Sequence, residues 1–556
     1  MRPAIYRASL SFVLVVLATL ALPLVAGADP LPAGPGRTFI VDCSLGGKIM
    51  PKITAARTNI TIKGTCVENV VIQFDDIVIT TDGVVPATIV PANPGLPTIL
   101  LEGAQRVLIN GRFANGITVN GGFYGIAATR NSELDVRFST VTGTTQNGVL
   151  ASYSSSVVVE NCAINGNAGN GGVAANNSSL VITNSTVSSN TGNGLTAVRN
   201  SFLRMGQDVS GTTVLKPVTV SANGSNGVVV ADTSSGIIVG GTVQTSGSGR
   251  SNIFVGRASS AQIGLGANGL TGGVTVQSGT GDGISVEGGT ATIVFSTITG
   301  NALRGIIVQN AGGARIGVLN DSSAYGPNTI TNNGTNGILV VRSSGVVIGG
   351  STISGNGTAA TGFRVGINVD HASATLVGNN TIQNNAETGV FVSGGQVVIG
   401  EPGFGLPTGN VITGNGATGP NTGGVFAFEG AVVRINDASI SGNVGPAIQA
   451  FEHGTIEVRG ATTVSGTPGA QAQFGSTLRL RDTASITNAS GDAIQASNLT
   501  AIQIRDATTT VSGGGGGFGV NCFTPGSTGG VAGAPTVTLT GNFPAGMTHT
   551  GCNIFP

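Results

Sequence analysis

Gly148-Val149-Leu150-Ala151, then Val157-Val158-Val159, then Asn161-Cys162-Ala163-Ile164-Asn165-Gly166-Asn167 make up one unit of this chain. Three short runs of β-branched and small residues alternate with period two, and Ser, Asn and Gly separate them. That period reads as strand, not helix. Three strands and three turns in about 22 residues describe one coil of a parallel β-helix, each coil lying ~4.8 Å above the last.

The unit repeats. A Gly-aliphatic step returns every 22 to 24 residues, or every 29 to 35 where residues are added. It is read at Gly125-Ile126, Gly148-Val149, Gly172-Val173 and Gly194-Leu195, and onward to Gly424-Val425. Degenerate copies follow at Ala447-Ile448, Gly469-Ala470 and Ala493-Ile494. A unit of this size buries its apolar face only against the next unit, so the chain grows along one axis. Fifteen steps would give a rod of roughly 70 Å.

Asn190, Asn223, Asn301, Asn333, Asn385 and Asn443 each stand four residues before such a step. Amides stacked at the coil spacing can bond to one another, and Asn tolerates turn geometry. The alternative use is a row of ligand-binding amides; the structural ladder is the preferred reading.

Phrases such as Ser351-Thr352-Ile353-Ser354-Gly355-Asn356 and Asn328-Thr329-Ile330-Thr331-Asn332-Asn333 resemble the right-handed parallel β-helix proteins of the pectate-lyase-like superfamily. The resemblance runs over roughly residues 37 to 510. It implies an all-β, right-handed parallel β-helix, a solenoid, and the cysteines near its two ends are expected to staple N- and C-terminal caps. It implies little about activity, because that superfamily includes lyases, hydrolases, epimerases and non-catalytic surface proteins.

Residues 1–28 are expected to be a signal peptide: Arg2 and Arg7 precede an apolar core from Leu10 to Val25, with Ala26-Gly27-Ala28 as the cleavage site. Residues 29–104 are then an N-terminal cap and first coils, 105–510 the repeats and 511–556 a C-terminal cap. The expected location is secreted, periplasmic or cell-surface. Cys43 with Cys66, and Cys522 with Cys552, lie outside the regular repeat and are expected to pair, leaving Cys162 as a buried thiol. No Cys/His spacing suggests a metal site. Only 9% of residues are charged and the net charge is zero, which argues against nucleic acid as a partner. No later stretch is long and apolar enough for a membrane span, and no β-barrel pattern follows the rod.

Four of the longer steps add residues just after the second strand: Met205 to Lys216, Gly264 to Gly273, Gly317 to Pro327 and Gly400 to Gly409. Insertions at one coil position project from one face, which is often the binding face, although surface loops also drift cheaply. Five residues after the Gly stands an outward column: Arg130, Tyr153, Asn177, Arg199, Asp232, Arg257, Arg342, His371, Glu429 and Glu452. Arg199, Asp232 and Arg257 would form a solvated charge ladder. Arg342, Asp370 and His371 are the acid, imidazole and guanidinium expected to converge. A uronate lyase or epimerase needs a base near the α-proton and a cation on the carboxylate. A turn pair is the plainer reading of Asp370-His371.

Phe426, Phe428 and Phe451, with Glu429 and Glu452 beside them, are the candidate ligand-binding residues; Phe391 shares their strand face and Phe474 lies one position away. Such a stack could grip a sugar ring or be a shielded ladder. The chain has no Trp. The signatures that the resemblance would require of an enzyme, clustered carboxylates for Ca²⁺ beside an Arg, paired aspartates or Asp-Pro-His, are missing. The expectation is an exported, non-catalytic β-helix protein, structural or binding a polysaccharide or another cell-envelope component, without cofactor. The alternative is a polysaccharide-active enzyme, and only that alternative would call for Ca²⁺.

Overall fold

A computed structural model describes residues 36–522 except 113–115, 210–213, 246, 248–249, 320–323, 361, 401–408, 418–421 and 507. Beyond Cys522 it describes the backbone of three strands, Thr538–Gly541, His549–Thr550 and Asn553–Phe555. The expected signal peptide lies outside the described residues. Among the described residues no helix is long and apolar enough to cross a membrane.

Each coil contributes one strand to each of three parallel sheets. In the unit quoted above, Val149–Ser152 joins the first sheet, Ser156–Glu160 the second and Ala163–Asn165 the third. Val149 pairs with Ile126 below and Gly172 above, Val158 with Asp135 and Val181, and Ile164 with Val141 and Val187. Apart from register shifts at Ser221/Asn223 and at Ile348/Gly349, each strand residue meets its equivalent in the next coil. The protein is a right-handed parallel β-helix.

Alternation decides what faces the interior. In the first sheet Ile284, Ile306, Ile338 and Ile367 stack in one inward column, and Val286, Val308, Val340 and Val369 in the next, all fully buried. Each such side chain contributes ~1.5–3 kcal/mol relative to exposure. Gly172 interrupts the first column, and the leucines at 180 and 195 fill its place. This corrects the reading of Gly172-Val173 as a step: the glycine aligned with Gly148 and Gly194 is Gly171, one residue earlier.

The steps are glycine for a reason of space. A Cβ on Gly148 would lie 2.7 Å from Ile164 Cγ2, 2.8 Å from Asn167 Nδ2 and 2.8 Å from the Gly171 carbonyl. The asparagine next to each step belongs to a buried ladder. Asn190 Nδ2 donates to Asn223 Oδ1 at 3.0 Å, Asn301 to Asn333 at 2.9 Å, and Asn385 through Asn415 to Asn443 at 2.9 Å each. Asn167 and Asn356 complete it at 2.8–2.9 Å. Where Thr245 occupies the position, Asn252 reaches in and donates to Asn301 Oδ1 at 2.8 Å. These amides have the geometry of a turn support, with their hydrogen bonds spent inside the rod.

Two further ladders hold the other corners. Hydroxyls of Ser155, Ser178, Ser201, Ser234 and Ser259 each accept the N–H of the equivalent serine one coil before at 3.0–3.2 Å. Between the second and third sheets, Asn328 and Asn380 accept the N–H groups of Ser296 and Ser351 at 2.9 and 3.1 Å.

At the N-terminal end Arg37–Asp42 pairs with Thr58–Val67, and the Cys43–Cys66 disulfide closes the segment between them. Three-sheet coiling is established from Thr58 onward, before the repeat becomes easy to read. Cys522 is disulfide-bonded; its expected partner, Cys552, lies outside the described residues. The segment expected as a C-terminal cap adds Val520–Cys522 and His549–Thr550 to the first sheet, and Thr538–Gly541 and Asn553–Phe555 to the second.

Candidate functional site

Six phenylalanines form a continuous cluster on the outside of the first sheet. Phe391 and Phe426 oppose each other in register, on the outward positions between Val390 and Val392 and between Val425 and Ala427. Their rings meet edge to face at 5.3 Å. Phe428 and Phe451 follow on the next outward column, 6.0 Å apart, and Phe451 meets Phe474 at 4.8 Å. Phe363 covers Phe391 from the far side at 5.4 Å.

The six are not equivalent. Phe391 and Phe426 are buried, with Val365, beneath the others. Phe428 and Phe451 are half-buried, while Phe363 and Phe474 are 48% and 45% exposed. Of the ligand-binding candidates, Phe426 is therefore the floor of the patch, and its accessible rim is Phe363, Phe428, Phe451 and Phe474. Phe363 was missed by the sequence reading. It comes from added residues between Ser354 and Gly366, at the third-to-first corner, whereas the reading followed insertions only after the second strand.

Glu429 and Glu452 follow the patch at the corner between the first and second sheets. Glu429 accepts a hydrogen bond from Ser393 Oγ at 2.8 Å, and both carboxylates are exposed. The whole column from Arg130 to Glu452 occupies this corner, and every one of its ten named members has φ between 44 and 62°. The left-handed turn explains why the side chains point out. Within it Arg257 reaches Asp232 at 3.1 Å, both well exposed, so half of the expected charge ladder is an ion pair.

His371 and Asp370 meet directly, Nδ1 to Oδ1 at 2.6 Å, with side chains 70% and 49% exposed. The Asp370 carboxylate raises the His371 pKa by hydrogen bond and charge, and Glu429 adds to it. The expected convergence with Arg342 does not occur. Arg342 lies in the left-handed turn one coil earlier and donates to Asn310 Oδ1 at 3.3 Å, away from the pair. The recess beside His371, lined by Ser343, Ser373, Gly394 and Gln396, is shallow and open. The pair is thus open to solvent, and the nearest predicted guanidinium is turned toward Asn310.

Cys43, Cys66 and Glu68 bring three metal-type ligands together. Both sulfurs are in the disulfide, and Glu68 accepts the N–H groups of Ile49 at 2.7 Å and Met50 at 3.0 Å. The group is a cap tether.

The described parts of the first three inserted loops pack on the rod between the second and third sheets, where Leu215 lies against Gly240 and Gly272 and Tyr325 against Gly349 and Gly350. Gln207 is fully buried, donating to the Ala267 carbonyl at 3.1 Å and accepting its N–H at 2.9 Å, so the first two loops are locked together. The first three loops leave from alternate coils, whose spacing of about 10 Å matches the width of a folded-back pair of strands. Residues 401–408 of the fourth lie outside the described residues.

The chain belongs to the family described as right handed beta helix region, which matches residues 55–208 and 282–463, more than half of its length. No curated protein matches it significantly. Among solved structures, it is similar to the cryo-EM structure of the Vag8–C1 inhibitor complex at 12% identity, covering 94% of this chain and 100% of that one with a TM-score of 0.38. A periplasmic alginate epimerase, AlgG, is similar at 12% identity over 66% of this chain and 74% of that one, with a TM-score of 0.23. The A-module of the Azotobacter vinelandii mannuronan epimerase AlgE4 is similar at 11% identity over 80% and 92%, with a TM-score of 0.22. Likeness at this level concerns the path of the chain and carries nothing about ligands.

Proposed function

We propose that the protein is an exported, non-catalytic rod, secreted, periplasmic or at the cell surface, that binds a glycan of the cell envelope through the phenylalanine patch. The observation that carries this reading is the patch itself: six rings in unbroken contact on the outside of the rod, two of them buried beneath the others. An exposed aromatic cluster bordered by carboxylates offers apolar faces for sugar C–H groups and acceptors for hydroxyls. The two buried rings hold the exposed ones in place and reduce the ordering cost of binding.

The test is a glycan-binding screen with neutral and uronate-containing polysaccharides, run with and without Ca²⁺, together with a turnover assay. Binding without turnover, lost in F428A/F451A while the fold is retained, is the expected result. Turnover abolished by His371→Ala would replace this reading with the lyase or epimerase one. Binding unchanged in F428A/F451A would move the site elsewhere.

A further inference from the structure

From residue 365 to the C terminus the chain has ten acidic residues and only five basic ones: Arg434, Arg459, Arg479, Arg481 and Arg505. All five lie on one face. Val433, Ile435, Ile456, Val458, Leu478, Leu480, Ile502 and Ile504 point inward and are buried, so the residues alternating with them point out from the second sheet. Arg434, Glu457 and Arg479 stack on consecutive coils in one outward column. Beside it run Arg459, Arg481 and Arg505, where Arg481 and Arg505 bond back through their N–H groups to Val458 and Leu480.

The array is far from neutral. Among the described residues Glu457, itself 4% exposed, is the carboxylate that these arginines approach. Arg459 and Arg481 each approach Glu457 to 2.8 Å, and Arg434 to 3.7 Å. Among the described residues Arg479 has no hydrogen-bonded or ionic partner, and its Nε and that of Arg459 are buried without an acceptor. Arg505 reaches the amide oxygen of Gln503, at 3.4 Å. Of the neighbouring corner acids, Asp437 accepts the N–H of Ala461 and Asp506 that of Asp482, each at 2.9 Å. Like charges on successive coils, ~4.8 Å apart, oppose sheet pairing. The column of Arg434, Glu457 and Arg479 alternates in sign, whereas the row of Arg459, Arg481 and Arg505 beside it does not.

We infer that this face is a second binding site, for an acidic polysaccharide lying along the rod axis with a carboxylate or sulfate on successive sugars. A row of guanidinium groups at the coil spacing presents fork-shaped donors at intervals close to the length of one sugar ring, which suits a chain bearing one planar anion per residue. Glu457 holds the central arginines upright and leaves Arg479 and Arg505 to the ligand. The site is independent of the phenylalanine patch, which lies on the first sheet of overlapping coils.

Isothermal titration of the full chain with sized oligogalacturonates and with sulfated dextran separates the carboxylate and sulfate forms; neutral dextran and a single-stranded oligonucleotide serve as comparators. The acidic glycans bind, and binding is lost as salt approaches 1 M, where the screening length falls to ~3 Å. R479Q/R505Q leaves the Glu457 contacts in place, keeps the melting temperature, and weakens binding about tenfold. F428A/F451A leaves the affinity for acidic chains unchanged, which separates a failure here from a failure of the aromatic site. The inference is overturned if neither acidic glycan binds, if R479Q/R505Q binds as the native chain does, or if the oligonucleotide binds as tightly as the glycans.

Discussion

A Cβ placed on Gly305 would lie 2.8 Å from Nδ2 of Asn333 and 2.7 Å from the Gly337 carbonyl oxygen. The glycine of the step and the asparagine of the ladder are one device, because the amide occupies the volume that a side chain would need. Where the ladder ends at Asn443, the next step is Ala447, which is fully buried. Gly305→Val is therefore expected to destabilise by at least ~1–3 kcal/mol, since backbone lines the space and cannot move aside. Denaturant unfolding checks it; an unchanged midpoint would show that the coils separate freely.

Asn333→Ala removes donors to Asn356 Oδ1 and the Ile298 carbonyl, and the acceptor of two Asn301 N–H groups, at a fully buried position. Each unsatisfied group costs ~1–3 kcal/mol. The exposed pair in which Asn200 donates to Asn177 at 2.8 Å gives the contrast, with Asn200→Ala expected within ~0.5 kcal/mol. Equal effects from the two substitutions would contradict the ladder's role in stability.

The Asp370 partner raises the His371 pKa above its ordinary 6.5. The stabilisation from this pair is thus fully present below pH 6.5 and is lost as pH rises through the higher folded value. An NMR titration should place the imidazole above its usual range, and Asp370→Asn should lower it. A midpoint indifferent to Asp370→Asn would mean that the hydrogen bond does not persist in solution.

Burial pushes the Cys162 thiol up to about 12. Because the thiolate is the reactive form, Cys162 should resist a thiol reagent at pH 8 in the folded protein and react once it is unfolded. Rapid labelling of the native protein would show that this coil opens.

Much of the fold was legible in the chain because a coil is a local object. Val149-Leu150-Ala151 and Val157-Val158-Val159 alternate within five residues, and the period places each run in register with the next. The sites were less legible. Arg342 and His371 share a column, yet the left-handed turn sends Arg342 toward Asn310. Phe363 joins Phe391 through added residues outside the regular spacing.

By itself the sequence determined the repeat, its glycine steps and the inward face, since these follow from period and residue size. Which outward residues meet was a tertiary decision. Arg434, Arg459, Arg479, Arg481 and Arg505 are scattered over 72 positions, and Phe363 and Phe474 lie 111 apart. Winding returns the chain to the same face once per coil, so long separations in sequence become neighbouring rungs. Small changes in turn length then select which side chains share a surface, and the repeat alone does not specify them.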